Sequence, residues 1–139
     1  MKKFLPMLLL AASVNSIAAD NFDATAEKIK SALNAEIRTE SETDRDKNRK
    51  ALQTLDFFGL REDMKVIELI PGGGWYTKIL APVVSENGEY YAALGTGRIK
   101  GLTEEPGFEK IKIIAEDAKL YRKDGERFYS LEADSLGVK

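Results

Sequence analysis

The stretch VIELIPGGGWYTKILAP, Val66 to Pro82, has three consecutive glycines between a segment with the apolar pattern of a strand and a segment with the apolar spacing of a helix. Met64 to Ile70 is apolar on both faces except for Lys65 near its start and Glu68, a pattern typical of a strand that is buried on both sides in an α/β sheet. Beyond the glycines, apolar residues recur at helical spacing, namely Trp75, Ile79, Leu80, Val83 and Val84. Pro82 has no N–H for the Lys78 carbonyl and is expected to kink or end this helix. The stretch therefore predicts a strand, a glycine turn and a helix in succession.

A second strand is predicted after the helix. Asn87-Gly88 is a turn signal, and Glu89 to Leu94 (EYYAAL) follows it. A short helix between neighbouring parallel strands forms a right-handed βαβ unit. Downstream, 95–107 is loop-like, 109–117 (EKIKIIAED) can be a third strand, 119–126 is polar and 127–134 (RFYSLEAD) can be a further strand. We therefore expect an α/β fold built on a parallel sheet.

The segment before this unit has a helical pattern. Apolar residues recur at helical spacing from Phe22 to Ile37 and predict one amphipathic helix. Arg38 to Lys50 contains no apolar residue and is most simply a solvated connection that becomes helical near its end. A second helix then carries Ala51, Leu52, Leu55 and Phe58 and is expected to stop at Gly59. Two helices thus precede the first strand.

Three glycines between a strand and a helix allow bare backbone to approach a ligand closely, because no Cβ stands in the way. The new helix then directs unpaired N–H groups and its positive dipole end toward that ligand. A tight connection without a ligand is the alternative. A Walker-type phosphate loop is not indicated, since the run lacks the G-K-[ST] ending, and Thr77 breaks the dinucleotide pattern G-x-G-x-x-G. The pattern favours a small-ligand site of another kind.

Composition narrows the function classes. The chain has 139 residues, 43% of them hydrophobic, which suits one globular domain. It has no cysteine and no histidine, so disulfides, thiolate metal sites and thiol nucleophiles are excluded, as are the commonest general base and the commonest metal ligand. The net charge of −2 gives no electrostatic basis for binding nucleic acid. We expect neither a metal site nor a nucleic-acid partner.

The first residues resemble a bacterial secretory signal. Lys2 and Lys3 precede an apolar run from Phe4 to Ala12, and small residues follow, with cleavage expected near Ala18 or Ala19. A core helix is the alternative for this run, which is too short for a stable membrane anchor. The predicted organisation is a signal peptide at 1–19, a helical segment at 20–63 and an α/β domain at 64–139. The mature protein would be periplasmic or secreted.

The run V-I-E-L-I-P-G-G-G-W-Y-T resembles the first motif of class I S-adenosylmethionine-dependent methyltransferases, in which an acid near the strand end precedes a G-x-G-x-G loop. More narrowly, D-R-D-K-N-R-K, then L-D-F-F-G-L, then P-G-G-G-W-Y-T-K-I-L-A-P, behind a signal peptide, is similar to predicted exported methyltransferases. The resemblance covers Asp44 to about Ala93. It implies a Rossmann-like fold, S-adenosylmethionine as cofactor and methyl transfer to an acceptor. It indicates neither the acceptor nor the catalytic residues.

The resemblance also implies cofactor-binding positions. Glu68 stands at the motif acid, Gly72 and Gly74 retain two loop glycines, and Ile70 stands where the first glycine usually lies. The implied set around the loop is Glu68, Pro71, Gly72, Gly73, Gly74, Trp75 and Tyr76. An acid after the third strand, either Asp117 or Asp134, would lie near the adenine, whereas the second strand ends without the acid that usually contacts the ribose.

The aromatic residues, the two acids and a nearby charged cluster also have a purely structural interpretation. Trp75 and Tyr76 could wall the pocket or belong to the core, and Tyr90 and Tyr91 read as packing residues. Asp117 and Asp134 could be ordinary surface acids. The charged cluster Asp44, Arg45, Asp46 and Arg49 could cap the site from the N-terminal helices or form a solvated face.

The chain ends about where the fourth strand of such a fold, which lies beside the first, should begin. We therefore expect only the N-terminal portion of the methyltransferase fold, with Val66 to Ile70 left as an unpaired apolar edge. Self-association could supply the missing neighbour. Two functions follow: an exported, truncated methyltransferase acting on an unknown acceptor, or a non-enzymatic periplasmic module that binds a small molecule or a partner. An inactive fragment is the third possibility.

Overall fold

The computed structural model of the protein describes residues 22–132 and 135–136. The expected signal peptide and Asp134 lie outside these described residues.

From residue 22 onward, four helices precede the first strand: α1 (Phe22–Leu33), α2 (Glu40–Thr43), α3 (Asp46–Arg49) and α4 (Ala51–Phe57). The helix predicted to Ile37 ends at Leu33, and the chain turns where the Asn34 amide donates to the carbonyls of Lys30 and Ser31. The expectation that 38–50 is a solvated connection is wrong in part. This segment forms two short helices, and Arg38 within it is buried.

The predicted strand–turn–helix–strand order is confirmed. It consists of β1 (Lys65–Leu69), α5 (Thr77–Val84) and β2 (Glu89–Ala93), and β3 (Lys112–Ile114) follows. The three strands form a parallel sheet in the order β1-β2-β3. The chain is therefore a mixed α/β protein with a parallel three-stranded sheet, compatible with a Rossmann-like fold.

The downstream segment forms a separate two-stranded sheet. β4 (Lys119–Tyr121) pairs antiparallel with β5 (Ser130–Glu132). The strand expected within 127–134 is present, but it pairs with part of the polar segment 119–126 and does not join the parallel sheet. Between β2 and β3, the loop-like stretch contains two 3-10 helices, Thr96–Arg98 and Lys100–Glu104.

One core unites the N-terminal helices with the sheet. Helices α1 and α4 pack together, and α1 packs on α5, which in turn covers β1 and β2. The shared interior is apolar and includes Ile29, Ala32, Leu55, Trp75, Ile79, Val83, Tyr90, Ala92 and Ile99. Pro82 lies inside the last turn of α5, where the lost backbone hydrogen bond affects only the helix end. The helical segment is thus part of the same hydrophobic core as the α/β unit.

Strand β1 lies at the edge of the parallel sheet, and its two faces differ. Val66 and Glu68 are partly buried on the helix side, whereas Ile67 is 40% exposed and Leu69 is 54% exposed. The prediction that this strand is buried on both sides is therefore wrong. The expected apolar edge is present in the part of the chain that the structure describes. Within residues 22–132, the helices are too short or too polar to cross a membrane.

Candidate functional site

The turn between β1 and α5 has alternating left-handed backbone conformations. Ile70, Gly72 and Gly74 have φ angles of 56°, 59° and 85°. Glycine adopts such angles freely, but a β-branched residue such as isoleucine does so only under strain. The Ile70 amide donates to the Ala93 carbonyl at 2.9 Å, which fixes the start of the turn against β2. All three G-x-G-x-G positions thus have the glycine conformation, including the one occupied by isoleucine.

The residue directly after each parallel strand is left-handed. Ile70 follows β1, Leu94 follows β2 with φ 65°, and Ala115 follows β3 with φ 51°. Non-glycine residues rarely adopt this conformation, and such strain tends to collect at functional sites. In open α/β sheets, ligands bind outside the carboxyl ends of the strands. The strained residues therefore mark the edge where a ligand is expected.

The three glycines have different surroundings. A Cβ built at Gly74 would lie 3.1 Å from Ile99 Cγ2 and 3.3 Å from Leu102 Cδ1, so this residue is packed against its neighbours. A Cβ at Gly72 or Gly73 would meet nothing within 4 Å. Gly73 also lacks a left-handed φ. Neither packing nor backbone conformation therefore requires glycine at position 73, and the space beside it is open.

The turn also offers unpaired backbone donors. Within residues 22–132, the amides of Gly72, Gly73, Trp75 and Tyr76 make no hydrogen bond, whereas the Gly74 amide donates to the Pro71 carbonyl at 3.0 Å. These amides open the helix α5, whose dipole adds positive potential at this end. The turn can therefore hold a polar or anionic group of a ligand.

A cleft of about 700 Å³ lies over the glycine turn. Its floor is the end of β1 with the turn itself, and its roof comes from the charged segment 39–49. The lining residues are Thr39, Ser41, Glu42, Arg45, Arg49, Glu68, Leu69, Ile70, Pro71, Gly72, Gly73, Trp75, Tyr76 and Lys78. Small-molecule and cofactor sites commonly have volumes of roughly 300 to 1,000 Å³. The cleft is large enough for a nucleoside-sized cofactor.

The roof is held by contacts between residues far apart in the sequence. The Trp75 indole N–H donates to the Glu42 carbonyl at 2.8 Å, and Lys78 Nζ donates to the Ile37 carbonyl at 3.0 Å. Lys78 also pairs with the Glu42 carboxylate at 2.8 Å, and the two side chains are only 11% and 12% exposed. Burial alone would raise the pKa of Glu42, but the hydrogen bonds from Lys78 and Thr39 lower it below its usual value. Glu42 therefore stays ionised and holds α2 against α5.

Arg38 and Asp46 make a second anchor for the roof. The fully buried Arg38 guanidinium donates to both Asp46 carboxylate oxygens, at 2.8 and 2.5 Å, and to the Leu33 carbonyl at 2.6 Å. Of the remaining charged cluster, Arg45 and Arg49 line the cleft and Asp44 is exposed outside it. The cluster therefore combines a structural ion pair, two arginines over the glycine turn and one solvated acid.

Glu68 is oriented by two hydroxyl groups. Its Oε2 accepts hydrogen bonds from Thr77 Oγ1 at 2.8 Å and from the Tyr90 hydroxyl. Burial, and then the negative charge of Glu68, raise the pKa of Tyr90, so this phenol remains a donor. Among the described residues, Glu68 Oε1 has no hydrogen-bond donor. Glu68, which lines the cleft, is thus a fixed carboxylate whose second oxygen is left without a donor by the described side chains.

The structure brings most of the implied cofactor positions together. Glu68, Pro71, Gly72, Gly73, Trp75 and Tyr76 all line the cleft, and Gly74 is buried beside them. Asp117 is exposed in the turn after β3 and does not line the cleft. Tyr90 supports Glu68, and Tyr91 interacts with Glu89. Among residues 22–132 and 135–136, no three acids are grouped as the ligands of a metal ion would be.

Sequence reasoning missed several cleft residues. Thr39, Ser41, Glu42 and Lys78 were not singled out, although all four line the cleft. Lys78 and Glu42 lie 36 positions apart, so no local pattern connects them. Thr77 carried a usable signal, because a hydroxyl at the start of the helix after a motif acid can reach back to that acid.

Comparison of the chain with protein-family models, with curated proteins and with solved structures found no match.

Proposed function

We propose that the protein binds S-adenosylmethionine in the cleft over Gly72 to Gly74 and transfers its methyl group to an acceptor. The observation that carries the proposal is the open space beside Gly72 and Gly73, next to backbone amides without acceptors in the described chain. A Cβ at either glycine would enter that space. Together with the motif acid Glu68 on the same cleft, this arrangement fits the class I methyltransferase resemblance of the sequence.

The residues of the chain would position the cofactor. On the floor of the cleft, the turn amides can donate hydrogen bonds to the cofactor, and the free oxygen of Glu68 can accept one from it. Tyr76 lines one side of the cleft, and the buried Trp75 holds the roof in place. The bound cofactor supplies an electrophilic sulfonium methyl group. Most of the rate acceleration would then come from proximity and alignment with the acceptor.

A non-enzymatic interaction module is the second candidate. It is favoured by the outer edge of β1, which pairs with no strand among the described residues, and by the exposure of Ile67 and Leu69. Exposed strand edges pair readily with another chain, either a second copy of this protein or a partner. Such a module need not bind S-adenosylmethionine, so cofactor affinity separates the two candidates.

The test is titration of S-adenosylmethionine into the purified protein, followed by the fluorescence of Trp75, the only tryptophan. Saturable quenching in a sample that is folded by far-UV circular dichroism is the expected result. Gly73→Ala should weaken binding by about 10-fold or more, equal to roughly 1.4 kcal/mol, without changing the free energy of unfolding. The reason is that the new methyl group enters the ligand space and touches no protein atom.

Gly101→Ala is the matched control. Gly101 also has an ordinary φ and open space around a built Cβ, but it lies in the second 3-10 helix, outside the cleft. It should bind as the parent does. A folded protein without saturable binding, or equal affinity of the Gly73→Ala and Gly101→Ala variants, would rule out the proposed site.

A further inference from the structure

Two arginines of the cleft have no carboxylate partner. Within residues 22–132, the side chains of Arg45 and Arg49 form neither a hydrogen bond nor an ion pair. The nearby cations Arg38 and Lys78 are instead paired with Asp46 and Glu42. Arg45 and Arg49 both line the cleft over the glycine turn. Their charges are therefore available to whatever occupies it.

Arg49 is held in position by aromatic rings. Its guanidinium carbon lies 4.6 Å from the centroid of Trp75 and 5.4 Å from that of Tyr76. Trp75 is itself fixed by its hydrogen bond to the Glu42 carbonyl. Stacking uses the face of the guanidinium and leaves the N–H groups on its rim free. Arg49 thus holds its N–H donors in a fixed orientation at the wall of the cleft.

The charge balance of the cleft favours an anion. Glu42 and Lys78 compensate each other, and the negative charge of Glu68 is shared with two hydroxyl donors. The two arginines then leave an excess of positive charge, to which the unpaired turn amides add partial positive charge. A ligand without an anionic group would leave this potential uncompensated.

We infer that Arg45 and Arg49 bind a carboxylate of the cleft ligand. The inference rests on the proposed function, because the amino-acid carboxylate is the anionic group of S-adenosylmethionine. Arginine is suited to this contact, since its planar fork can donate two parallel hydrogen bonds to one carboxylate. Segment 39–49 then acts as part of the binding site as well as a roof.

The experiment compares two neutral-sulfur ligands that differ in the amino-acid group. S-adenosylhomocysteine carries the carboxylate, whereas 5′-methylthioadenosine lacks it. The parent protein should bind the first more tightly by roughly 10- to 100-fold, the range for hydrogen bonds to charged groups. Arg49→Gln and Arg45→Gln should each reduce this preference, and Arg49→Lys should restore it only in part because lysine has no planar fork.

Lys47→Gln is the matched control. It removes the same charge from an exposed position of the same segment that does not line the cleft. It should leave the preference unchanged. Arg45 is exposed and carries no structural contact, so its variant tests the inference even if Arg49→Gln proves less stable. Equal binding of the two ligands by the parent, or an unchanged preference in both arginine variants, overturns the inference while leaving the adenosyl site intact.

Failure of the proposed function gives a different result. If neither adenosyl ligand binds, succinate and inorganic phosphate are titrated separately with the same fluorescence signal. Saturable binding of succinate that is lost in Arg45→Gln and Arg49→Gln, but kept in Lys47→Gln, supports a carboxylate-binding pair with another ligand. Binding of phosphate alone overturns the inference. No anion-dependent signal overturns the inference.

Discussion

The two faces of strand β1 have different surroundings, and the more exposed face is the one that carries two large apolar side chains. On one face, Val66 packs against the helical layer and Glu68 is bonded to Thr77 and Tyr90. On the other, Ile67 and Leu69 are about half exposed. The comparison teaches that apolar side chains make a strand face suitable for burial. The face becomes buried only if another element of the protein packs against it.

The covered face also contains the interactions that build the cleft. Helix α5, which covers that face, carries Lys78, and Trp75 just before it reaches the carbonyl of Glu42. The open face instead carries an exposed polar group at its amino end, where Glu89 contacts Lys65 and Lys112. Stability and the candidate site are thus concentrated on the same side of the sheet.

The largest expected effect tests this asymmetry with one substitution on each side. Ile79, in α5, is fully buried, and Ile79→Ala should reduce the free energy of unfolding by about 2 to 5 kcal/mol through lost transfer energy and a cavity. Ile67→Ala makes the same change on the open face and should cost less than about 1 kcal/mol. Urea denaturation monitored by circular dichroism measures both.

If Ile79→Ala and Ile67→Ala reduced the free energy of unfolding equally, the two faces of β1 would not differ in burial. That result would mean that Ile67 is buried in solution, and self-association through β1 would be the natural cause. Dependence of the unfolding midpoint on protein concentration would then identify that association.

A smaller effect sharpens the comparison at the carboxyl end of β1. Ile70 has φ 56° and is 52% exposed, so Ile70→Gly removes backbone strain and little buried surface. We expect stabilisation of about 0.5 to 1 kcal/mol, since the left-handed conformation costs a non-glycine residue roughly 1 to 2 kcal/mol. Leu69→Gly is the control: its exposure is similar but it lies within the strand, and it should destabilise by about 0.5 to 1 kcal/mol.

Thermal and urea unfolding of both variants give the answer. If Ile70→Gly were destabilising by as much as Leu69→Gly, the turn would not have the left-handed conformation at position 70. The likeness of the turn to a G-x-G-x-G loop would then be lost at that position.

The smallest effect concerns the polar end of the open face. A hydrogen bond from Lys112, followed by those from Tyr91 and Lys65, lowers the pKa of Glu89 from 4.5 to about 2. Because the folded-state pKa is depressed, the stabilisation is present above pH 4.5 and is lost as the pH falls through about 2. Its size should be small because the group is in contact with solvent.

A carboxyl NMR titration of Glu89 checks this directly. Lys112→Gln should move the pKa of Glu89 back toward 4.5, because its main hydrogen-bond donor is removed. Lys110→Gln is the control, since Lys110 donates to the Ser85 carbonyl instead. A pKa near 4.5 in the parent protein would show that the ion pairs on the open face do not form in solution.

Sequence reasoning predicted the helices α1, α4 and α5 and the strands β1 and β2, because each has a strong local signal. For β3 the signal was weaker, and 109–117 was given only as a segment that can form a strand. Apolar residues at helical spacing in α1, the glycine turn before α5, and Asn87-Gly88 before β2 are all readable within a few residues. It failed for residues 38–50, where a run of charges suggested a solvated segment. Arg38 is buried there because Asp46 and the Leu33 carbonyl accept hydrogen bonds from its two terminal guanidinium nitrogens, while its Nε has no partner among the described residues. Charge patterning does not reveal this pairing.

Local sequence was sufficient to define the floor of the candidate site: a strand with an acid near its end, a turn of glycines and the start of a helix. This holds because backbone conformation and helix initiation depend on neighbouring residues. The tertiary structure alone decided the roof, since Glu42, Arg45 and Arg49 reach the turn only when α1, α4 and α5 pack together. It also decided which face of β1 is covered. Both outcomes depend on contacts between residues that are far apart in the sequence, and local sequence patterns do not indicate such contacts.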